Sequence, residues 1–166
     1  MVTEKQLSAL MTELADRLCD KGFKMACAES CTGGWLAKAA TDLAGSSGWF
    51  DRGLVSYSNQ AKQDLLGVSE STLAHYGAVS EETVTEMVNG LLLIEAVSIG
   101  VAISGIAGPA GGTAEKPLGT VWIAWKMRNR PSISQCFLFS GGRTEVRLQA
   151  TIAAVSGLID LLKTEH

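Results

Sequence analysis

The sequence predicts one α/β domain, a three-layer α/β/α sandwich on a mixed, mostly parallel sheet of about five strands. Three observations predict it. Amphipathic stretches alternate with short apolar runs from Thr3 to Gly105, the pattern of strands joined by crossover helices. Two apolar runs then follow one another around Arg128-Asn129-Arg130-Pro131, which reads as an antiparallel hairpin. The length, 166 residues, supplies one proper core rather than two. No internal repeat, low-complexity segment or linker breaks the chain, so residues 1–166 are read as a single domain.

The elements follow in order. Thr3 with Gln6 is a capping-box start, Leu7, Leu10, Met11, Leu14 and Leu18 recur at helical spacing, and Gly22 stops that helix. Lys24 to Ala28 is the first strand. A polar turn at Ser30 leads into a second helix ending near Leu43, and Leu54 to Tyr57 is the second strand. Ser58 caps a short helix, Asn59 to Leu66, stopped by Gly67. A helical turn is expected from Ser69 to His75. Ser80 opens the next helix, with Glu81 and Glu82 at its positive end, running to about Glu95. Ser98 to Ser104 is a buried strand, and a glycine-rich excursion, Gly105 to Gly112, follows it. Thr120 to Met127 and Ile133 to Phe139 form the hairpin. Thr144 to Lys163 is the closing helix. Strand C-terminal edges collect ligands in such sheets, so the polar loops at Ser30, Ser104 and Gly141 are expected on one rim.

Composition excludes several classes. The chain is 46% apolar, 19% charged and carries a formal charge of −3, so it is globular and lacks the basic footprint that nucleic acid requires. No apolar run is long enough to span a bilayer, and the N-terminal segment lacks the apolar core of a signal peptide. A cytoplasmic protein with no membrane or nucleic-acid partner is expected. The four cysteines, Cys19, Cys27, Cys31 and Cys136, complete no zinc pattern, so reduced thiols and no metal are expected. Trp35, Trp49, Trp122 and Trp125 supply more aromatic bulk than one small core needs, which suggests a homodimer or higher homo-oligomer.

Ala28-Glu29-Ser30-Cys31-Thr32-Gly33-Gly34-Trp35 carries the most chemistry. A strand, a tight turn and a helix put a hydroxyl beside free helical N–H groups. Ser30 is the nucleophile candidate or, in the bland reading, a helix cap. Cys31 is its rival, because a thiolate at a helix start is activated. Two histidines, His75 and the terminal His166, leave little for a Ser-His-Asp arrangement, so the base is sought among lysines. Lys62, early in the Asn59 helix, is that candidate: burial and a positive helix end both favour its neutral form. Its alternative is a solvated surface lysine. Tyr57 could relay a proton or orient the lysine, or be an ordinary strand tyrosine. Arg143 stands after two glycines and before a helix, suited to a phosphate, or to pairing with Glu29 or Glu145. The Gly105 to Gly112 loop is neither a Walker A loop nor a dinucleotide fingerprint.

Five motifs in order now point one way: Ala28-Glu29-Ser30-Cys31-Thr32-Gly33-Gly34, Tyr57-Ser58-Asn59-Gln60-Ala61-Lys62, His75-Tyr76-Gly77-Ala78-Val79-Ser80, Ser104-Gly105-Ile106-Ala107-Gly108-Pro109 and Lys116-Pro117-Leu118-Gly119-Thr120-Val121-Trp122. Together they resemble the C-terminal domain of the competence/damage-inducible CinA family, from about Leu7 to Leu162. The resemblance implies a nicotinamide-nucleotide amidohydrolase, which converts nicotinamide mononucleotide and water to nicotinate mononucleotide and ammonia in pyridine nucleotide recycling. It implies a serine nucleophile at Ser30 assisted by Lys62 and Tyr57, with Ser104 and Arg143 lining the site and no cofactor. On that reading Cys31, Thr32, Gly33 and Gly34 surround the carbonyl with backbone amides, while Arg143 and the loop of Gly105 and Gly108 take the phosphate. One position departs from the family: Gly141-Gly142-Arg143 stands where Gly-Asp-Arg is usual. A second reading, a nucleotide-binding module without turnover, rests on that difference.

Overall fold

The computed structural model describes residues 2–164; His166 lies outside them. Helix α1 spans Glu4–Lys21, strand β1 Met25–Glu29, α2 Trp35–Thr41, β2 Phe50–Val55 and α3 Asn59–Leu66. Then come α4 Glu70–Tyr76, α5 Glu81–Leu91, β3 Ile99–Gly105, β4 Thr120–Met127, β5 Ile133–Leu138 and α6 Arg143–Lys163. The sheet order is β2-β1-β3-β4-β5. β1 pairs parallel with β2 and β3, while β4 runs antiparallel to β3 and β5. Four strands therefore point one way and β4 alone reverses, which gives the mixed α/β sheet that was expected.

The caps explain the helix boundaries. The side chains of Thr3, Ser58, Ser69 and Ser80 each accept from a backbone N–H three residues on, and Gly22 and Gly67 end α1 and α3 in the left-handed conformation. Each strand divides its side chains between two faces. Met25, Cys27, Val101, Ile103, Val121 and Ile123 pack under α1, α2 and α6. Ala26, Ala28, Ala102 and Ala124 face α5 and the residues around α3 and α4. The small residues on that second face let the helices approach closely. A Cβ at Gly100 would fall 2.9 Å from Leu92 Cδ2.

Four boundaries differ from expectation by two residues or more. β2 begins at Phe50 and ends at Val55, so Tyr57 lies two residues beyond the strand. The strand was hidden by Asp51, Arg52 and Gly53 on a half-exposed sheet edge. Gly53 is required there, because a Cβ would come 2.7 Å from the Ala37 methyl carbon. α2 ends at Thr41 rather than near Leu43. α5 ends at Leu91, four residues early. Carbonyls beyond it, at Ile94, Glu95 and Val97, accept from the Arg128 guanidinium at the end of the hairpin's first strand. That distant partner replaces a further helical turn.

α6 is indexed against the sheet. The Trp125 indole Nε1 donates to the Ala154 carbonyl at 2.9 Å. A Cβ at Gly157 would overlap the same indole. No helix among the described residues is long and apolar enough to cross a membrane.

Candidate active site

The site begins where β1 and β3 end side by side. Glu29 pairs with Ile103, and the Ser30 N–H continues the ladder to the Ile103 carbonyl at 3.0 Å. Strand alternation carries the Ala26 and Ala28 face onward to Ser30, toward α3. The turn after Ser30 is built on glycine: Gly33 has φ +60 and Gly34, the N-cap of α2, has φ +95. Gly34 offers no side chain to cap α2. The buried Glu29 carboxylate does so instead, accepting from the N–H groups of Leu36 at 2.9 Å and Ala37 at 3.1 Å. Glu29 is thereby committed to α2 and not to Arg143.

α3 brings the second group. Ser58 Oγ accepts the Ala61 N–H and starts the helix, which aims Lys62 inward one turn later. Lys62 is 1% exposed. Its Nζ lies 3.0 Å from Ser30 Oγ, 2.7 Å from the Ser56 carbonyl and 3.1 Å from the Tyr57 carbonyl. Burial lowers its pKa from the ordinary lysine value, with Cys31 acting weakly the other way. Cys31 is itself buried, and burial pushes its thiol up to about 11. It is a protonated thiol at neutral pH and a poor rival to Ser30. His75, the histidine among the described residues, is exposed on α4, with Nδ1 2.8 Å from the Ser71 carbonyl.

The rim is more open. Ser104, the penultimate residue of β3, donates to the Ala78 carbonyl at 2.7 Å, tying β3 to the α4–α5 connector. Gly105 lets the next strand close in: a Cβ there would meet Val121 Cγ2 at 2.6 Å. Arg143, the first residue of α6, donates from Nη1 to the Gly108 carbonyl at 2.7 Å, and its Nη2 is 3.4 Å from the Tyr57 hydroxyl. A cavity of ≈ 200 Å³ joins Ser30, Lys62, Tyr57, Ser104, Gly105 and Arg143.

Not every expected residue faces it. Thr32 is fully buried and its Oγ1 has no hydrogen-bond partner. Gly33 and Gly34 line a different hollow with Trp35, Lys38 and Arg147. The Gly33 N–H already donates to the Ser30 carbonyl at 3.1 Å. Sequence reasoning passed over Ser56, whose carbonyl holds the lysine, and Arg147, whose position one turn after Arg143 was the available signal.

The profile of the CinA C-terminal domain matches residues 7–162. The chain belongs to the CinA C-terminal domain family. Among relatives of this family, the nicotinamide-nucleotide amidohydrolase PncC of Enterobacter agglomerans is 54% identical over 91% of this chain and 92% of its own length. The protein of the same name from Escherichia coli K12 is 49% identical over 95% of each chain. The crystal structure of the competence damage-inducible protein A from Klebsiella pneumoniae subsp. pneumoniae MGH 78578 superposes with a TM-score of 0.92. It is 38% identical over 96% of this chain and 99% of that one.

Proposed function

We propose that this chain hydrolyses the carboxamide of nicotinamide mononucleotide to nicotinate mononucleotide and ammonia, through an acyl-enzyme on Ser30. The observation that carries the reading is the buried Lys62–Ser30 contact at 3.0 Å. A neutral amine has two N–H donors and one lone pair. Two of the three oxygens around Lys62 Nζ are carbonyls, of Ser56 and Tyr57, and carbonyls only accept. In the neutral form that the reaction uses they take the two N–H bonds, and the lone pair is left to accept the Ser30 hydroxyl proton.

Lys62 takes the Ser30 proton as the oxygen attacks the carboxamide carbon. Backbone N–H groups of the turn hold the developing oxyanion. Collapse breaks the C–N bond, and Lys62 returns the proton to the departing ammonia. Water then attacks the acyl-enzyme with the same lysine as base and restores Ser30. The positive pyridinium ring makes the carbonyl electrophilic, and no metal takes part. Because Lys62 meets Ser30 directly, Tyr57 is not needed as a relay between them. Its carbonyl orients the lysine, and its hydroxyl stands with Arg143 at the phosphate end. Arg143 exchanges the Gly108 carbonyl for a phosphate oxygen, a stronger charge-assisted partner.

The test is ammonia release from nicotinamide mononucleotide by the wild type and Ser30→Ala. Turnover by the first and none by the second is expected. Tight binding of the nucleotide without turnover by the wild type would favour the binding-module reading. Gly142 is the observation behind that alternative: it caps α6 without a side chain, and the Glu145 carboxylate folds back to within 2.9 Å of where its Cβ would be.

A further inference from the structure

α6 reaches the nucleophile turn from behind with a second arginine. Arg147 Nε donates to the Cys31 carbonyl at 3.0 Å, and Nη2 donates to the Thr32 carbonyl at 3.0 Å. The guanidinium also lies over the Trp35 ring, 5.5 Å from its centroid. One side chain therefore grips the two residues after Ser30 and the first residue of α2. Gly33 leaves room for the grip, since a Cβ there would stand 3.2 Å from Nη2.

In a planar trans peptide the carbonyl and the following N–H point in opposite directions. Holding the Cys31 and Thr32 carbonyls toward Arg147 turns the N–H groups of Thr32 and Gly33 away from it. The Gly33 N–H closes the turn on the Ser30 carbonyl. The Thr32 N–H, one peptide earlier, is fixed on the side opposite Arg147. The Thr32 hydroxyl does not select this conformation, because it is buried without a partner.

We infer that Arg147 is a positioning residue for the reaction, strapping the turn from behind so that Ser30 and the Cys31 main chain keep their place on the cavity. The inference rests on the reading that Ser30 is acylated. It separates the two arginines of α6: Arg143 acts on the ligand, and Arg147 acts on the main chain that follows Ser30.

The test compares the wild type with Arg147→Met, which keeps the stem over Trp35 but has no donors, and Arg147→Lys, which keeps the charge but cannot bridge two carbonyls as a fork. Two rates are read: ammonia release from nicotinamide mononucleotide, and labelling of Ser30 by a fluorophosphonate, located by mass spectrometry. Arg147→Met is expected to lower kcat by on the order of 10- to 100-fold with KM changed less than about threefold. Labelling should slow by a similar factor, and Arg147→Lys should fall between. Wild-type kcat and labelling in Arg147→Met, or a loss confined to KM, overturns the inference. If Arg147→Met does not fold, wild-type rates in Arg147→Lys overturn it equally. A wild type labelled on Ser30 that releases no ammonia removes the substrate assignment alone, and the labelling rates still judge Arg147. A wild type that is not labelled on Ser30 removes both.

Discussion

Lys62 and Arg143 are two basic side chains on one cavity, and they are held in opposite ways. Lys62 is enclosed, with three oxygens within 3.1 Å of its Nζ. Arg143 is exposed on the rim, with one carbonyl and one distant phenol for company. Enclosure disfavours charge on the lysine, so the group inside can exchange a proton. Exposure leaves the guanidinium able to trade partners, so the group outside can recognise an anion. On the proposed reading, the chemistry end of the cavity is assembled before the ligand arrives, and the recognition end is completed by it.

The sharpest way to break this contrast is Ser30→Ala. Ammonia release should fall about 10⁴-fold or more, while the dissociation constant for the nucleotide moves less than about threefold. A parallel loss of binding in calorimetry would mean that the two ends are not separate. Lys62→Arg should cost about 10³-fold in kcat, because arginine is never a neutral base near pH 7. The pH profile carries the sign. Burial lowers the Lys62 pKa, so kcat/KM should decline as pH falls through that lowered value and Lys62 takes up a proton. The midpoint of this acid limb should lie below the ordinary lysine range and vanish in Lys62→Arg. At the other end, Arg143→Ala should raise KM for the mononucleotide about 10- to 100-fold with kcat nearly kept. The riboside, lacking phosphate, should be unaffected, and an equal effect on both would remove Arg143 from the phosphate. Tyr57→Phe is the mildest: its carbonyl still holds Lys62, so KM should rise only about threefold and kcat should stay.

The fold was largely legible because its signals are local. Thr3, Ser58, Ser69 and Ser80 announce helix starts within four residues of themselves, and alternating apolar runs announce β1, β3 and β4. β2 was misplaced because Gly53 and the charged pair before it are written for contact with Ala37 and for a sheet edge, not for apolar alternation. Ser30, Lys62, Tyr57, Ser104 and Arg143 could be singled out by residue type and turn context. That the first two touch was not legible, because it depends on β1 lying between β2 and β3. Arg147 and Ser56 escaped for a related reason. Each acts through a main-chain carbonyl, and such a contact leaves no mark on the identity of its partner.

The indole of Trp125 seated against Gly157 works as a keyway for the last helix. Arg143 and Arg147 hang near the far end of that rod, roughly 15 to 20 Å away at 1.5 Å per residue. A methyl group added at Gly157→Ala touches nothing near the cavity, yet it has to lift or rotate the shaft on which both guanidinium groups are mounted. On the proposed reading, phosphate recognition and nucleophile alignment would then drift together, tuned from a place remote from the cavity.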